Sequence, residues 1–379
     1  MSQETIAKLF YANPEINADL LYFGKFMAPD PFLALGIGSR KIAVLSDLEL
    51  GRGRKESNFD EILSLSEVRE AAARRYRTGN ATLLHCIRHL AKEYRIDRFR
   101  VPSDFPASLA FRIKAARLPL EVVENSFLPA REAKSNEEAA FIREGNRASA
   151  LGFEIVREIL KKAKETRRGT LNWKNRPLTS ERIQKEIEKA LLDRGARSTH
   201  TIVAGGDQAC DPHERGHGVL RANELIIVDI FPQMLKSGYH GDMTRTFLKG
   251  RASEAQKKLV STVKTAHEAA LNAARSGVSG SSIHREVTDL FLKAGYKTRK
   301  TKSGFEGFFH GTGHGLGLDV HEPPRVSPGA PRLKKAAVVT IEPGLYYPAL
   351  GGCRIEDVVR LNPQGNELLS KAPYSWVIP

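Results

Sequence analysis

The sequence predicts an α+β protein in two parts: a small α/β unit over residues 1–130, then a larger unit over 131–379 with a sheet flanked by helices. Apolar residues recur at helical spacing in segments that begin with capping residues and stop at glycine. Short apolar runs bounded by turn residues read as strands. Strands and helices interleave without the regular alternation of a doubly wound sheet. At 379 residues, 41% hydrophobic and 27% charged, the chain is long enough for two such units and apolar enough for sizeable cores.

In the first third, "KIAVL" (41–45) reads as a strand and the following "SDLELGRGRKES" as a loop. "ATLLHCIRHLAKEY" (81–94) places Leu83, Leu84, Ile87 and Leu90 on one helical face, and "FRVP" reads as another short strand. This unit is expected to end near "VVENSFLPA" (122–130). The second opens where Ser135 precedes Glu138 by three residues, a capping-box spacing, with a helix through "AAFIREGNRASALGFEIVREILKKAKE". "SERIQKEIEKALLDRG" is a second amphipathic helix, with Ile183, Ile187, Ala190 and Leu191 on its stripe and Gly195 as its stop. Two more helices are expected at about 254–275 and 282–294, the latter closing on Gly295. Strands are expected in "ELIIVDIF" (224–231), "YHGDMTRTFL" (239–248), "AAVVTIEP" (336–343) and "CRIEDVVRL" (353–361).

No segment approaches the ~18 uninterrupted apolar residues of a membrane span, and the N-terminal residues do not read as a secretory leader. Three widely spaced cysteines, Cys86, Cys210 and Cys353, fit a reducing compartment, so the cytoplasm is the expected setting. The net charge of +15 is concentrated in short runs, "ARRYR" (73–77), "KKAKETRR" (161–168) and "KTRKTK" (297–302). None carries the aromatic interleaving that stacks on bases, so solvated helix ends and loops are expected rather than a nucleic-acid surface.

The chemistry-bearing residues lie in the second unit. "FHGTGHGLGLDVHE" (309–322) sets His310, His314 and His321 among glycines, which add nothing to a core and cost backbone entropy on folding. Four acids interrupt otherwise apolar strands: Asp229 in "LIIVDIF", Asp242 in "YHGDMTRTF", Glu342 at the end of "VVTIEPG" and Glu356 in "CRIEDVV". One buried carboxylate is readily explained by an arginine partner. Four on separate strands, beside a histidine loop, point to a hard-cation site of oxygen ligands and one imidazole, suited to Mn²⁺, Co²⁺, Fe²⁺ or Zn²⁺. Strand alternation puts Arg354 and Glu356 on one face and Asp357 on the other. Arg354 then orients a carboxylate or holds substrate, and Asp357 is structural.

"HGTGHGLGLDVHE", "TIEPGLYY", "RIED" and "GDMTRTF", with acids and histidine in the order Asp, Asp, His, Glu, Glu, resemble the prolidase and aminopeptidase P branch of the pita-bread metallopeptidases over roughly residues 131–379. "PFLALGIGSRKIAVLSDLE" is similar to the creatinase-type N-terminal domain of that branch. The resemblance implies a curved antiparallel sheet flanked by helices, with Asp229, Asp242, His314, Glu342 and Glu356 as ligands of two divalent ions. Mn²⁺ is the expected metal, and Asp242 and Glu356 would bridge the pair. It further implies His321 near the substrate carbonyl, His310 lining the substrate pocket, His213 of "CDPHERG" bonding substrate, and Glu342 carrying a proton, with Arg354 beside them. The implied reaction is hydrolysis of the peptide bond before proline, in short peptides with proline at the second position, by water activated between the metals. A homodimer is expected, with no membrane and no nucleic-acid partner.

Two features depart from that family pattern. The segment from Asp229 to Asp242 is two residues longer than usual, which a longer hairpin loop would absorb, and Cys353 stands before Arg354 where a small or aliphatic residue is familiar. Three other readings are a metal-free scaffold that binds protein or nucleic acid, an aminopeptidase without proline preference, and creatine-type amidinohydrolysis.

Overall fold

Neighbouring residues of a strand point to opposite faces, and Leu9 and Phe10 in "IAKLFYA" accordingly enter two different cores of the first unit. The computed structural model describes residues 4–124, 126–302 and 304–379. Asn125, in the expected end of the first unit, lies outside the described residues. The chain divides into two units, Met1–Pro129 and Ala130–Pro379.

In the first, β1 (Ile6–Ala12), β2 (Phe32–Ile37), β3 (Arg40–Leu45), β4 (Glu61–Ser64), β5 (Arg98–Pro102) and β6 (Leu120–Val123) form one sheet in the order β4-β3-β2-β1-β5-β6. Helices α1 (Ala18–Gly24), α2 (Leu50–Glu56), α3 (Leu65–Tyr76), α4 (Leu83–Glu93) and α5 (Ala107–Ala115) accompany it. The expected loop at 46–57 is therefore partly helical. Arg52 bonds Glu49 and Glu56 on neighbouring turns, and Gly53 is buried where a Cβ would strike Leu45. The glycine that lowers helix propensity is what lets α2 lie close on the sheet.

The helices of the second unit are α6 (Asn136–Lys162), α7 (Ser180–Leu192), α8 (Glu254–Ala273) and α9 (Gly280–Lys293). Both bonds of the expected capping box form at α6: Ser135 Oγ accepts from the Glu138 amide at 3.1 Å, and Glu138 accepts from the Ser135 amide at 2.7 Å. Along α7, Ile183, Ile187 and Leu191 are buried, while Ala190 sits half-exposed at the edge of the stripe. Gly195 and Gly295 take the left-handed conformation expected of helix stops.

Strands of this unit are β7 (Lys164–Glu165), β8 (Leu171–Trp173), β9 (Arg176–Pro177), β10 (Ala196–Arg197), β11 (Ile202–Gly205), β12 (Leu225–Ile230), β13 (Gln233–Met234) and β14 (Met243–Lys249). They continue with β15 (Arg299–Thr301), β16 (Gly304–Glu306), β17 (Gly313–Gly315), β18 (Glu322–Val326), β19 (Val338–Ile341), β20 (Gly344–Tyr347), β21 (Gly351–Arg354), β22 (Asp357–Asn362), β23 (Gly365–Leu368) and β24 (Val377–Ile378). Two sheets dominate, β11-β12-β14-β24 and β18-β17-β19-β22-β23, with the hairpin β20-β21 beside them. Helices α6 and α7 pack on the first through Val156, Ile183, Ile187, Val228 and Phe247. Helices α8 and α9 pack on the second through Val263, Ile283, Val287, Val339 and Val359. Leu225 and Leu248 of the first sheet face that second core, so β12 is buried on both faces and reads as a continuous apolar run.

The long connection from Asp229 to Asp242 folds into its own turn. β13 pairs with β10, and Met234 accepts from the Gly238 amide at 2.8 Å. The ladder then resumes with Ile230 opposite Met243 and Asp229 opposite Thr244. Helix α6 grips the end of the turn, where the Asp242 amide donates to Asn146 Oδ1 at 2.9 Å. Gly145 faces Gly241 so closely that a Cβ on Gly145 would lie 2.8 Å from the Gly241 Cα.

Alanine is favoured over glycine inside a helix by up to about 1 kcal/mol, so Gly145→Ala would stabilise α6 taken alone. In the folded chain it is expected to destabilise by about 1–3 kcal/mol through overpacking against Gly241. Chemical denaturation measures this, and an unchanged or raised midpoint would contradict the contact.

Candidate metal centre

The two sheets of the second unit meet at a seam. The Glu356 amide donates to the Thr244 carbonyl at 3.1 Å, and Thr246 Oγ1 and the Arg354 backbone exchange bonds at 3.0 and 3.1 Å. Asp229 lies in β12 and His314 in β17, whereas Asp242 precedes β14, Glu342 follows β19 and Glu356 falls between β21 and β22. The expected single strand over 353–361 is thus two strands in different sheets. Alternation along one strand is not what aims these side chains. The break at Ile355–Glu356 turns both Arg354 and Glu356 toward one cavity, while Asp357 bonds Arg245, Ser370 and Tyr374 behind it.

That cavity measures about 1060 Å³ and is lined by all nine residues singled out from sequence: Asp229, Asp242, His314, Glu342, Glu356, His213, His310, His321 and Arg354. Asp242, His314 and Glu356 offer atoms within 4.8 Å of one another. His314 Nε2 lies 3.6 Å from Asp242 Oδ2 and 3.3 Å from Glu342 Oε1. Asp229 Oδ2 accepts from Arg354 Nη2 at 2.7 Å, while its Oδ1 is buried without a hydrogen-bond partner among the described residues.

The electrostatics are those of too many acids for the positive charge at hand. Burial, then the proximity of Asp229 and Glu342, holds the Asp242 carboxyl well above the usual carboxylate range. Burial and Asp242 do the same to Glu356. Glu342 is pushed up to about 7 by burial, with Asp229 adding to the rise and Arg354 opposing it. Burial, then His321, pulls His314 down to about 3, so its imidazole is neutral. A carbonyl can only accept, so His314 Nδ1 carries the proton it donates to Gly315 O at 3.1 Å, and the Nε2 lone pair faces the carboxylates. An unpartnered buried carboxylate oxygen, crowded acids and an imidazole presented by its lone pair fit a hard divalent cation.

The other predicted residues divide into committed and open groups. Arg354 is spent on Asp229, on Thr244 Oγ1 at 3.2 Å and on Tyr346 OH at 3.0 Å, which favours an orienting role over substrate capture. His310 donates from Nδ1 to Gly311 O and accepts at Nε2 from Tyr346 OH, so both ring nitrogens are occupied although the ring lines the cavity. By contrast, His213 and His321 have no side-chain hydrogen bond among the described residues. The His321 ring stands edge-on to His314 at 4.3 Å. Sequence reasoning missed Tyr346, Thr244 and Arg325. Tyr346 lay within the quoted "TIEPGLYY". Arg325 reaches the cavity because β18 pairs it opposite His314, a register no local pattern encodes.

Residues 140–363 match the sequence profile of metallopeptidase family M24. An Xaa-Pro dipeptidase of Pyrococcus furiosus is 32% identical over 193 residues, 50% of this chain and 53% of that protein. An Xaa-Pro dipeptidase of Pyrococcus horikoshii is 34% identical over 193 residues, 50% of this chain and 52% of that protein. These matches span about half the length of the curated relatives. Among solved structures, an X-Pro aminopeptidase from Thermotoga maritima superposes with a TM-score of 0.81 at 23% identity, covering 99% of this chain and 98% of that one, a likeness of fold.

Replacing one of the crowded acids separates fold from site. Glu356→Gln, which keeps an oxygen for the Thr244 hydroxyl, is expected to raise the stability of the chelator-treated chain by about 1 kcal/mol, because it removes a buried acid whose ionised form burial and the neighbouring carboxyls disfavour. The same change is expected to abolish the thermal shift that Mn²⁺ produces in the unaltered chain. Calorimetry with and without Mn²⁺ reads both; a metal-free variant less stable than its parent, or an intact Mn²⁺ response, would contradict the assignment.

Proposed function

Because the chain belongs to metallopeptidase family M24, we propose that it is a two-metal exopeptidase that hydrolyses the bond before proline in short peptides. One observation carries the reading: Asp229, Asp242, His314, Glu342 and Glu356, far apart in sequence, line one cavity. The names of the similar dipeptidases support the proline preference. When bound, a pair of divalent cations supplies a water acidified toward a pKa of ~7 and polarises the scissile carbonyl.

The chain's own residues would do the rest. Glu342 Oε1 accepts from Thr340 Oγ1 at 3.4 Å, which leaves Oε2 to take a proton from the attacking water and return it to the leaving amine. His213 and His321, lining the cavity with unengaged rings, suit the stabilisation of the developing oxyanion, typically about 3 kcal/mol per donor. His310 shapes the pocket, and Arg354 keeps Asp229 in place. Arg325 makes no ion pair among the described residues, which suits the carboxylate end of a short peptide.

The same proposal takes manganese as the metal and a homodimer as the assembly, the latter from the family alone. It takes the cytoplasm as the setting, which three free cysteines suit; no helix among the described residues is long and apolar enough to cross a membrane. The unit ending at Pro129 is assigned as the creatinase-type domain and the unit from Ala130 as the catalytic one.

Purified chain loaded with Mn²⁺ or Co²⁺ is expected to cleave Ala-Pro, Gly-Pro or Arg-Pro-Pro, and Met-Ala far more slowly. Glu356→Ala should abolish turnover while the far-ultraviolet circular dichroism stays native. His321→Ala should lower kcat by about 10²- to 10³-fold. Inertness of the loaded chain on every Xaa-Pro peptide would reject the proposal, and equal rates on Met-Ala would reject its proline preference.

A further inference from the structure

Glu322 directly follows His321 and is 4% exposed. Its two oxygens receive two cations, Lys134 Nζ on Oε1 and Arg131 Nη2 on Oε2. Lys134 is itself 3% exposed, and Arg131 also donates to Asp319 Oδ2 at 2.7 Å. Both ends of the short segment Asp319–Glu322 are thus tied to the chain just before α6. That chain is anchored in turn by the bond from the Lys134 amide to the Ala336 carbonyl at 2.8 Å and by the Ser135 cap.

Stability alone does not explain such a device. Burying two charges costs about as much as their attraction returns, and a well-packed apolar pair often serves the fold equally well. What the ion pair adds is direction, because charge-assisted bonds fix the donor and acceptor atoms at both ends. The loop is moulded to it: a Cβ on Gly317 would lie 2.6 Å from Glu322 Oε1. The Gly317 carbonyl meanwhile accepts from the His240 amide at 2.8 Å. His321 has no side-chain hydrogen bond among the described residues to orient it, so the placement of its ring beside His314 comes from the backbone of this loop.

We propose that the buried Lys134–Glu322 pair, with Arg131, is a positioning device that sets His321 over the catalytic centre and thereby governs kcat. The proposal rests on the peptidase reading above. Lys134 and Glu322 contribute through His321 and touch neither substrate nor metal ligands.

A double-mutant cycle tests it. Glu322→Gln, Lys134→Met and the two together are each made in the unaltered chain and in His321→Ala, loaded with Mn²⁺, and assayed on Ala-Pro. Metal content and melting temperature are recorded alongside. In the unaltered background each change is expected to lower kcat by about 10- to 100-fold, the range of a misplaced catalytic group, with KM and bound Mn²⁺ little altered. In His321→Ala the same changes should have almost no further effect. The combined variant leaves no unpaired buried charge, so it carries the cycle if a single variant fails to fold. Equal losses in both backgrounds, or folded variants with parental kcat, would overturn the positioning role while leaving the peptidase reading intact. A parent chain inert on Ala-Pro and other Xaa-Pro peptides would instead overturn that reading, and the proposal with it.

Discussion

Four carboxylates gathered on the wall of one cavity are the constraint on which the second unit's site depends. Like charges that close repel, and among the described residues Arg354 is the one cation at hydrogen-bond distance from them. A fold retains such an arrangement at a stability cost that its core must offset, and sites of function are where such costs are found. The raised pKa of Asp242, Glu342 and Glu356 is the visible sign of that strain. A divalent cation held there would relieve it.

The scaffold around the cluster is built to hold acids in place against that repulsion. Neither sheet carries the whole set. Asp229 and Asp242 lie in or beside one, His314 and Glu342 in or beside the other, Glu356 falls where the β20-β21 hairpin passes into β22, and the Glu356–Thr244 main-chain bond with the Thr246–Arg354 bonds ties them together. Behind the seam, Arg245 donates to the Glu356 carbonyl and to Asp357 Oδ1, and Arg245 and other partners hold the Asp357 carboxyl well below the usual range despite burial. The adjacent acids Glu356 and Asp357 therefore serve opposite purposes. One faces the cavity without a cation of its own; the other is neutralised and locks the backbone that presents the first.

Much of this was legible in the sequence, and the parts that were not share a cause. The α+β architecture, the capping box of Ser135 and Glu138, the four acids in apolar strands, the histidines set among glycines and Arg354 could be read because each depends on local pattern or on residue types unusual in their setting, whereas His213 was legible only through the family resemblance. Helix α2 was hidden because its glycines lower propensity, and only the packing of Gly53 on Leu45 explains them. The split of "CRIEDVVRL" was hidden because both halves look extended; which sheet each joins is decided by partners far away in the chain. Arg325, Tyr346 and the Lys134–Glu322 pair escaped for the same reason. Their meaning lies in long-range register and burial, which a charged or aromatic residue in isolation does not announce.

Anomalous diffraction at the manganese edge, from crystals of the full chain grown with Mn²⁺, addresses the central claim most directly. The account predicts two peaks per chain inside the cavity, both within bonding distance of Asp242 and Glu356, with Asp229, His314 and Glu342 completing their shells. Crystals whose cavity held no anomalous density, with these five side chains as they stand here, would contradict it.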